Sequence, residues 1–395
     1  MRSGDAPWSR SDRESSIYMY IHPCGCGSVD FDPEREVRQV DGVWISQYTG
    51  ECRNCGTRRQ FVFRISEEIP RLAPGAWSTR TEPSELIDPG EWLSIADDLG
   101  VTADDDVLEL DEEQQCYRRV DLGLAAGAIE EILLSLPEGA DALPAGAVRA
   151  EVGRRLYAAD PARFRRDQLE HARDVYASLG GDVQPHDWAG WPLRARSVNE
   201  ASLFAELHRC GCGQIEFDRK ALWVPAPPGE TRATLTYSGD CDRCDSPRYF
   251  SFSVPADADS RRAPDPLEAG YGYPGDGPSE VLDPAQFWLY ANHCAGAADQ
   301  LLAEAPADLW SADENWDGMT ELLATAVAAV HEALAFIPPG ADRVPATAFR
   351  SATGRVLHRT NPEIFGRDRL AAVHAERDRR LQNFLADHPP PDGEE

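Results

Sequence analysis

The sequence predicts an α+β fold of two tandem homologous modules, each a small antiparallel sheet followed by a helical bundle. Three observations predict it. Eight cysteines fall into two groups of four with matching spacing. Each group is followed by a segment of alternating aromatic residues, and then by long apolar stripes at helical spacing. A chain of 395 residues is long enough for two or three domains with cores of their own.

The repeat organises everything else. At an offset of 186, Arg10, Ser11, Glu14, Ser16, His22, Cys24 and Cys26 recur as Arg196, Ser197, Glu200, Ser202, His208, Cys210 and Cys212. At an offset of 189, Tyr48, Gly50, Cys52, Cys55, Phe61 and Phe63 recur as Tyr237, Gly239, Cys241, Cys244, Phe250 and Phe252. Further matches continue to Phe164, Asp167 and Leu169, which recur as Phe365, Asp368 and Leu370. The offset grows in small steps, so the insertions belong in loops. The expected organisation is a first module over residues 1–180, a linker over 181–196 and a second module over 197–395. Trp188 and Trp191 predict a linker that packs.

Each module reads strands first and helices second. Residues 17–22 and 203–208 are expected to be opening strands, with the next major strands at 43–48 and 232–237. Phe61, Phe63 and Ile65 alternate, as do Phe250, Phe252 and Val254. A period of two buries one face of an antiparallel sheet. Asp88-Pro89 and Asp283-Pro284 read as helix starts, an Asp cap followed by Pro in the first turn. Long helices are expected near 112–136 and 314–337. Their core stripes are Leu122, Ala126, Ile129 and Leu133, then Leu323, Val327, Val330 and Leu334. Two more helices close each module, at 146–158 and 161–179 and at 346–358 and 361–385. The Gly- and Pro-rich loop 257–277 is expected to be mobile, and the tail beyond His388 disordered.

Each cysteine group combines C-x-C with C-x-x-C: Cys24, Cys26, Cys52 and Cys55, then Cys210, Cys212, Cys241 and Cys244. Two thiolates on each of two tight turns, joined by a hairpin, complete a tetrahedral shell around one ion. Flanking glycines (Gly25, Gly27, Gly211, Gly213) let the backbone bend beside the sulfurs. Residues 17–66 and 203–254 resemble a zinc ribbon, in which two cysteine turns on a small antiparallel sheet clamp one zinc. The first turn departs from that pattern, being one residue shorter than C-x-x-C. Asp245 also stands where the first group has Gly56. The resemblance implies two structural zinc ions in closed four-thiolate shells. An iron–sulfur cluster is an alternative metal reading, and disulfides or empty thiols another. His22 and His208 are expected to hydrogen-bond near the sites as strand residues and not to ligate. Cys116 and Cys294 occupy non-equivalent positions and read as ordinary buried thiols.

Other polar motifs have simpler readings. Pro83-Ser84-Glu85 with Asp88, and Pro278-Ser279-Glu280 with Asp283, offer a carboxylate pair but fit turn and cap chemistry better. Glu131 and Glu332 share a helix position and read as solvated or salt-bridged. There is no phosphate loop, no G-x-S-x-G, no H-E-x-x-H, no G-x-G-x-x-G and no zinc-deaminase pattern.

Net charge is −29. Residues 1–200 hold 22 basic and 37 acidic groups, and the rest hold 17 and 31, so both halves are acidic. Lys220 is the lone lysine among 39 basic residues, a bias usual for a GC-rich bacterial genome. The acid is concentrated at 82–131, with 16 acidic and 2 basic residues, and at 257–332, with 15 and 2. Such a chain repels phosphate backbones at long range. No run of 18 apolar residues is present and the first residues have no apolar core, so neither a membrane span nor a secretory signal is expected. A reducing cytoplasm then favours metal over disulfide for paired cysteines. The expected function is a non-enzymatic, zinc-stabilised cytoplasmic protein that binds a protein partner. An inhibitor or immunity-type protein with an acidic surface for a basic toxin is one concrete form. A nucleic-acid-binding regulator, using Arg53, Arg58, Arg59 and Arg64 of the first ribbon, is the second class. An enzyme with a site in the inter-module cleft is the third.

Overall fold

The structure, a computed structural model, describes residues 6–67, 72, 75–79, 81–100, 111–181, 192–256, 270–272, 277–304, 310 and 313–390. The linker tryptophans Trp188 and Trp191, most of loop 257–277, the acidic stretch 101–110 and the last five residues lie outside the described residues. The chain divides into two compact units, the first built on Met1–Gly180 and the second on Trp188–Glu395.

The first unit runs α1 (Asp12–Ile21), β1 (Glu34–Val40), β2 (Val43–Glu51), β3 (Arg58–Arg64), α2 (Pro89–Gly100), α3 (Glu112–Leu134), α4 (Glu151–Ala159) and α5 (Arg166–Gly180). The second runs β4 (Leu193–Arg194), α6 (Val198–Leu207), β5 (Lys220–Val224), β6 (Arg232–Asp240), β7 (Pro247–Pro255), α7 (Pro284–Glu304), α8 (Asp313–Ala335), α9 (Ala352–Thr360) and α10 (Arg367–Asp387). Short 3-10 turns precede the last two helices of each unit. The fold is thus mixed α and β, with a small sheet in each unit.

The first sheet is an antiparallel meander, β1-β2-β3. Tyr48 lies opposite Phe61, and Ser46 opposite Phe63. The predicted alternation holds: Phe61, Phe63 and Ile65 face a core that also takes in Trp92, Ile129, Ile132 and Phe164. The second sheet orders β4-β7-β6-β5, and β4 runs parallel to β7. Phe250, Phe252 and Val254 meet Phe287, Val330, Phe365 and Leu370 in its core. Val330 and Leu334 of the α8 stripe join that core. Leu323 and Val327, two turns earlier, belong instead to a cluster with Trp310, Trp316, Leu381 and Phe384.

The expected opening strands are helices. Residues 17–21 lie in α1 and residues 203–207 in α6. The cause is local capping. The Ser11 hydroxyl accepts from the Glu14 amide at 3.0 Å, and the Glu14 carboxylate accepts from the Arg10 amide at 2.7 Å. Ser197, Glu200 and Arg196 repeat this at 3.0 and 2.6 Å. A first-turn amide and the amide just ahead of the cap thereby gain partners, which outweighs the strand preference of Ile17, Tyr18 and Ile21. Each unit therefore begins with a helix ahead of its sheet.

The Arg and Glu of each cap start a buried charge network. Arg10 reaches Glu14 at 2.6 Å and Glu131 of α3 at 2.7 Å, and its remaining guanidinium nitrogen donates to the Glu82 carbonyl. Arg196 does the same with Glu200 and Glu332, at 2.6 and 2.8 Å. Glu14 and Glu200 are fully buried. Glu131 and Glu332 are salt-bridged but not solvated, because this network draws them inside. Burial raises the pKa of both, against the opposing pull of the arginine.

The Asp-Pro motifs act as caps. One Asp88 oxygen accepts from the amides of Gly90 and Glu91, and the other from those of Arg149 and Ala150 at the start of α4. Asp283 joins α7 to α9 in the same way, through Ala285, Gln286, Arg350 and Ser351. Both oxygens of each Asp are occupied. Glu85 pairs with Arg64, and Glu280 with Arg194, so the carboxylate pair of the motif does not converge.

Candidate metal centres

The eight predicted cysteines gather into two groups, Cys24/Cys26/Cys52/Cys55 and Cys210/Cys212/Cys241/Cys244, with the sulfurs of each group within 4.8 Å of one another. The C-x-C turn lies between the first helix and the edge strand of each unit, and the C-x-x-C turn between the other two strands. Phe31 bridges to Cys52 and Phe217 to Cys241, which fastens one turn against the other. Of the flanking glycines, Gly27 and Gly213 adopt positive φ, as the tight bend requires.

All eight thiols are free. Cys24 lies 3.5 Å from Cys55, and Cys26 3.6 Å from Cys52. The corresponding distances in the second group are 3.5 and 3.5 Å. A disulfide needs about 2.05 Å between sulfurs. A tetrahedron with metal–sulfur bonds of about 2.3 Å has edges of about 3.8 Å. The donor set therefore fits one tetrahedral, thiophilic ion per group, and the two groups could each bind a metal ion.

The electrostatics agree with that fit. Burial pushes the Cys210 thiol up to about 11 and also raises Cys212. Burial acts upward on Cys244 too, but hydrogen bonds from Ser246 and the neighbouring thiols outweigh it and bring Cys244 down to about 6. Four sulfurs this close do not all ionise without a cation among them.

A buried arginine underlies each group. Arg248 is fully buried and donates to the carbonyls of His208 and Ile215. Its guanidinium stacks 4.5 Å from the Phe217 ring centre and 5.2 Å from that of Phe250. Burial lowers its pKa, while all four cysteines of the group pull it up. Arg59 repeats the arrangement with the His22 carbonyl, Phe31 and Phe61. A four-thiolate shell around a dication keeps two negative charges, and a buried guanidinium offsets part of them. The motifs do not advertise this role, but Arg59 is the one arginine of its segment with an arginine counterpart in the second unit.

Those contacts change the reading of the first-module arginines. Arg59 is enclosed, Arg53 pairs with Asp32 at 2.7 Å, and Arg64 pairs with Glu85. Arg58 and Arg53, the latter in an exposed pair with Asp32, are the two of the four that stay exposed.

Neither histidine joins the sulfurs. His22 Nδ1 lies 2.8 Å from the Tyr18 carbonyl, and His208 Nδ1 2.7 Å from that of Phe204. Each ring closes the end of a helix, not of a strand, and stacks on an aromatic side chain one turn back. Burial lowers the His208 pKa to about 4, so the ring is neutral. Cys116 and Cys294 are buried in helices α3 and α7, away from the groups.

The residue that follows the C-x-x-C pair differs between the two turns. Gly56 has φ +70°, and its counterpart Asp245 is held at +54°. The left-handed region costs a non-glycine residue roughly 1–2 kcal/mol, somewhat less for Asp. Asp245→Gly is expected to stabilise the second unit by about 1 kcal/mol, read as a raised urea midpoint. An unchanged or lowered midpoint would show that the Asp245 side chain compensates.

Among the described residues, no helix is long and apolar enough to cross a membrane. Comparison with family models, curated proteins and solved structures finds no match for the chain.

Proposed function

We propose that the chain is a tandem duplication of one zinc-ribbon-like and helical module, and that it works as a non-enzymatic cytoplasmic binding protein held together by two structural zinc ions. The sulfur geometry carries this reading: two groups of four free thiols at tetrahedral spacing. Four thiolates leave no coordination position for water, so the ion serves the fold and not a reaction. Zinc suits a tetrahedral all-sulfur shell without redox chemistry.

The partner is a protein with a basic surface. Net charge of −29 favours it, as long-range attraction speeds encounter between opposite charges. On α3, Glu113, Tyr117 and Asp121 follow one another at four-residue spacing, and Tyr117 is 62% exposed. A large aromatic side chain between carboxylates suits the centre of such an interface. An inhibitor of a basic toxin remains the concrete form of this reading.

Elemental analysis of the purified protein is expected to give two zinc ions per chain. Iron with a brown colour, or no metal, would overturn the metal reading. A pull-down is expected to recover a basic protein that dissociates in salt and is lost with Tyr117→Ala. Recovery of nucleic acid in its place would sink the partner reading.

A further inference from the structure

The duplication puts two different residue pairs at one position of the helical bundle. In the first unit, Glu130 of α3 and Arg173 of α5 form an ion pair at 3.1 Å. At the offset of 201 that relates Phe164 to Phe365, the same positions hold His331 of α8 and His374 of α10. The two rings face each other across the contact between these helices, with centres 5.7 Å apart and planes inclined at 54°. Opposite charges tie the two helices together in the first unit. Two imidazoles have no such attraction, and they repel when both are protonated.

Both rings are open to a ligand. His331 is exposed and His374 half-buried. Neither makes a hydrogen bond among the described residues, whereas the Nδ1 atoms of His22 and His208 are engaged by helix carbonyls. Burial lowers the His374 pKa, His331 lowers it further, and Asp378 opposes the fall. His374 is therefore neutral at pH 7 and keeps a lone pair for a metal ion. Two imidazoles bound to one tetrahedral zinc at about 2.0–2.1 Å have ring centres about 5 Å apart. A small rotation of either side chain brings the observed 5.7 Å to that value.

We propose that His331 and His374 bind a further divalent metal ion of the zinc class, which bridges α8 and α10 where the first unit has its ion pair. The inference does not depend on the metal in the cysteine groups. Asp378 follows His374 by four residues, so it stands on the same face of α10 and supplies the third ligand. Water completes the shell. Imidazole nitrogen with carboxylate oxygen suits zinc. Glu332, next to His331, does not contribute, because Arg196 holds it. Exposed ligands and an open shell make this ion exchangeable, unlike one enclosed by four thiolates. Purification in metal-free buffer removes it, and the site fills when free zinc rises. The bridge joins helices whose Val330, Leu370 and Val373 share the core of the second unit, so free zinc adjusts the stability of that unit.

Equilibrium dialysis of the untagged full-length chain against zinc tests the proposal. At about 0.1 mM free zinc, one ion per chain is expected beyond those kept in metal-free buffer. His331→Gln and His374→Gln are each expected to weaken this binding by roughly tenfold or more. His293→Gln, at an exposed histidine of α7, leaves it unchanged. The double variant His331→Glu/His374→Arg writes the ion pair of the first unit into the second. It is expected to fold, as its thermal transition in metal-free buffer verifies, and to bind no further ion. Zinc raises the thermal midpoint of the wild type and leaves that of the double variant unmoved. No additional ion at this concentration overturns the proposal. So does equal zinc binding by the wild type and the double variant, which would place the ion elsewhere, or a wild-type midpoint that zinc does not raise.

Discussion

Arg196→Met is expected to destabilise the second unit by about 3–5 kcal/mol, a large part of the roughly 5–15 kcal/mol available to a folded domain. Arg196 is the cation between two buried carboxylates, Glu200 at 2.6 Å and Glu332 at 2.8 Å. Methionine fills similar volume but leaves two negative groups in a site with little access to water. The loss is expected to depend on pH. Without the guanidinium the carboxylates repel, and one is forced to hold a proton in the folded state at pH values where it is ionised in the unfolded chain. The folded variant then binds more protons than the unfolded one, so its stability rises as pH falls toward the ordinary carboxylate range. Urea unfolding at pH 7 and pH 5 measures the difference: the gap to the wild type narrows at the lower pH. Adding Glu332→Gln to Arg196→Met removes one of the charges and is expected to recover part of the loss. A loss below about 1 kcal/mol at pH 7 would mean that water reaches the network.

The network is legible in the sequence only in part. Arg10, Glu14 and their counterparts stood out as repeated residues, yet polar residues at such positions are usually solvated, and burial of an ion pair is a property of tertiary packing. The S-x-x-E cap before each first helix was readable: Ser11 with Glu14 and Ser197 with Glu200 have the spacing that starts a helix. The run Ile17-Tyr18-Met19-Tyr20-Ile21 favoured a strand on composition, and the cap prevailed because it satisfies amides that composition ignores. The sheets and long helices were readable from Phe61/Phe63/Ile65 and from the α3 and α8 stripes, since period alone fixes which face is buried. The cysteine groups were readable because a metal shell demands particular atoms at particular spacing. Arg248 was not, because nothing in Pro-Arg-Tyr-Phe distinguishes a guanidinium under a thiol cluster from one in solvent.

Removing one metal is expected to separate the two units energetically. In Cys52→Ser/Cys55→Ser the first group keeps Cys24 and Cys26, and two hydroxyls replace thiolates that a soft tetrahedral site requires. Metal content is expected to fall from two ions per chain to one. Structural zinc contributes apparent binding energies of about 10–16 kcal/mol in small zinc modules, an amount comparable to the stability of a whole domain. The sulfurs connect the turn after α1 to the turn between β2 and β3, and Arg59 is enclosed beside them. Loss of the ion frees both turns and removes the negative charge that offsets Arg59. Hydrogen exchange is expected to accelerate across α1 and β1–β3, while β5–β7 and α6 keep their protection. Helices α2 to α5 of the first unit are expected to respond less, because Trp92, Ile129 and Phe164 pack far along the chain from the thiols. A chelator that strips both ions should produce the same acceleration in both sheets. Equal loss in both units from the Cys52/Cys55 variant alone would show that they fold as one, whereas unchanged exchange with one ion lost would show that the ion occupies a site the fold does not require.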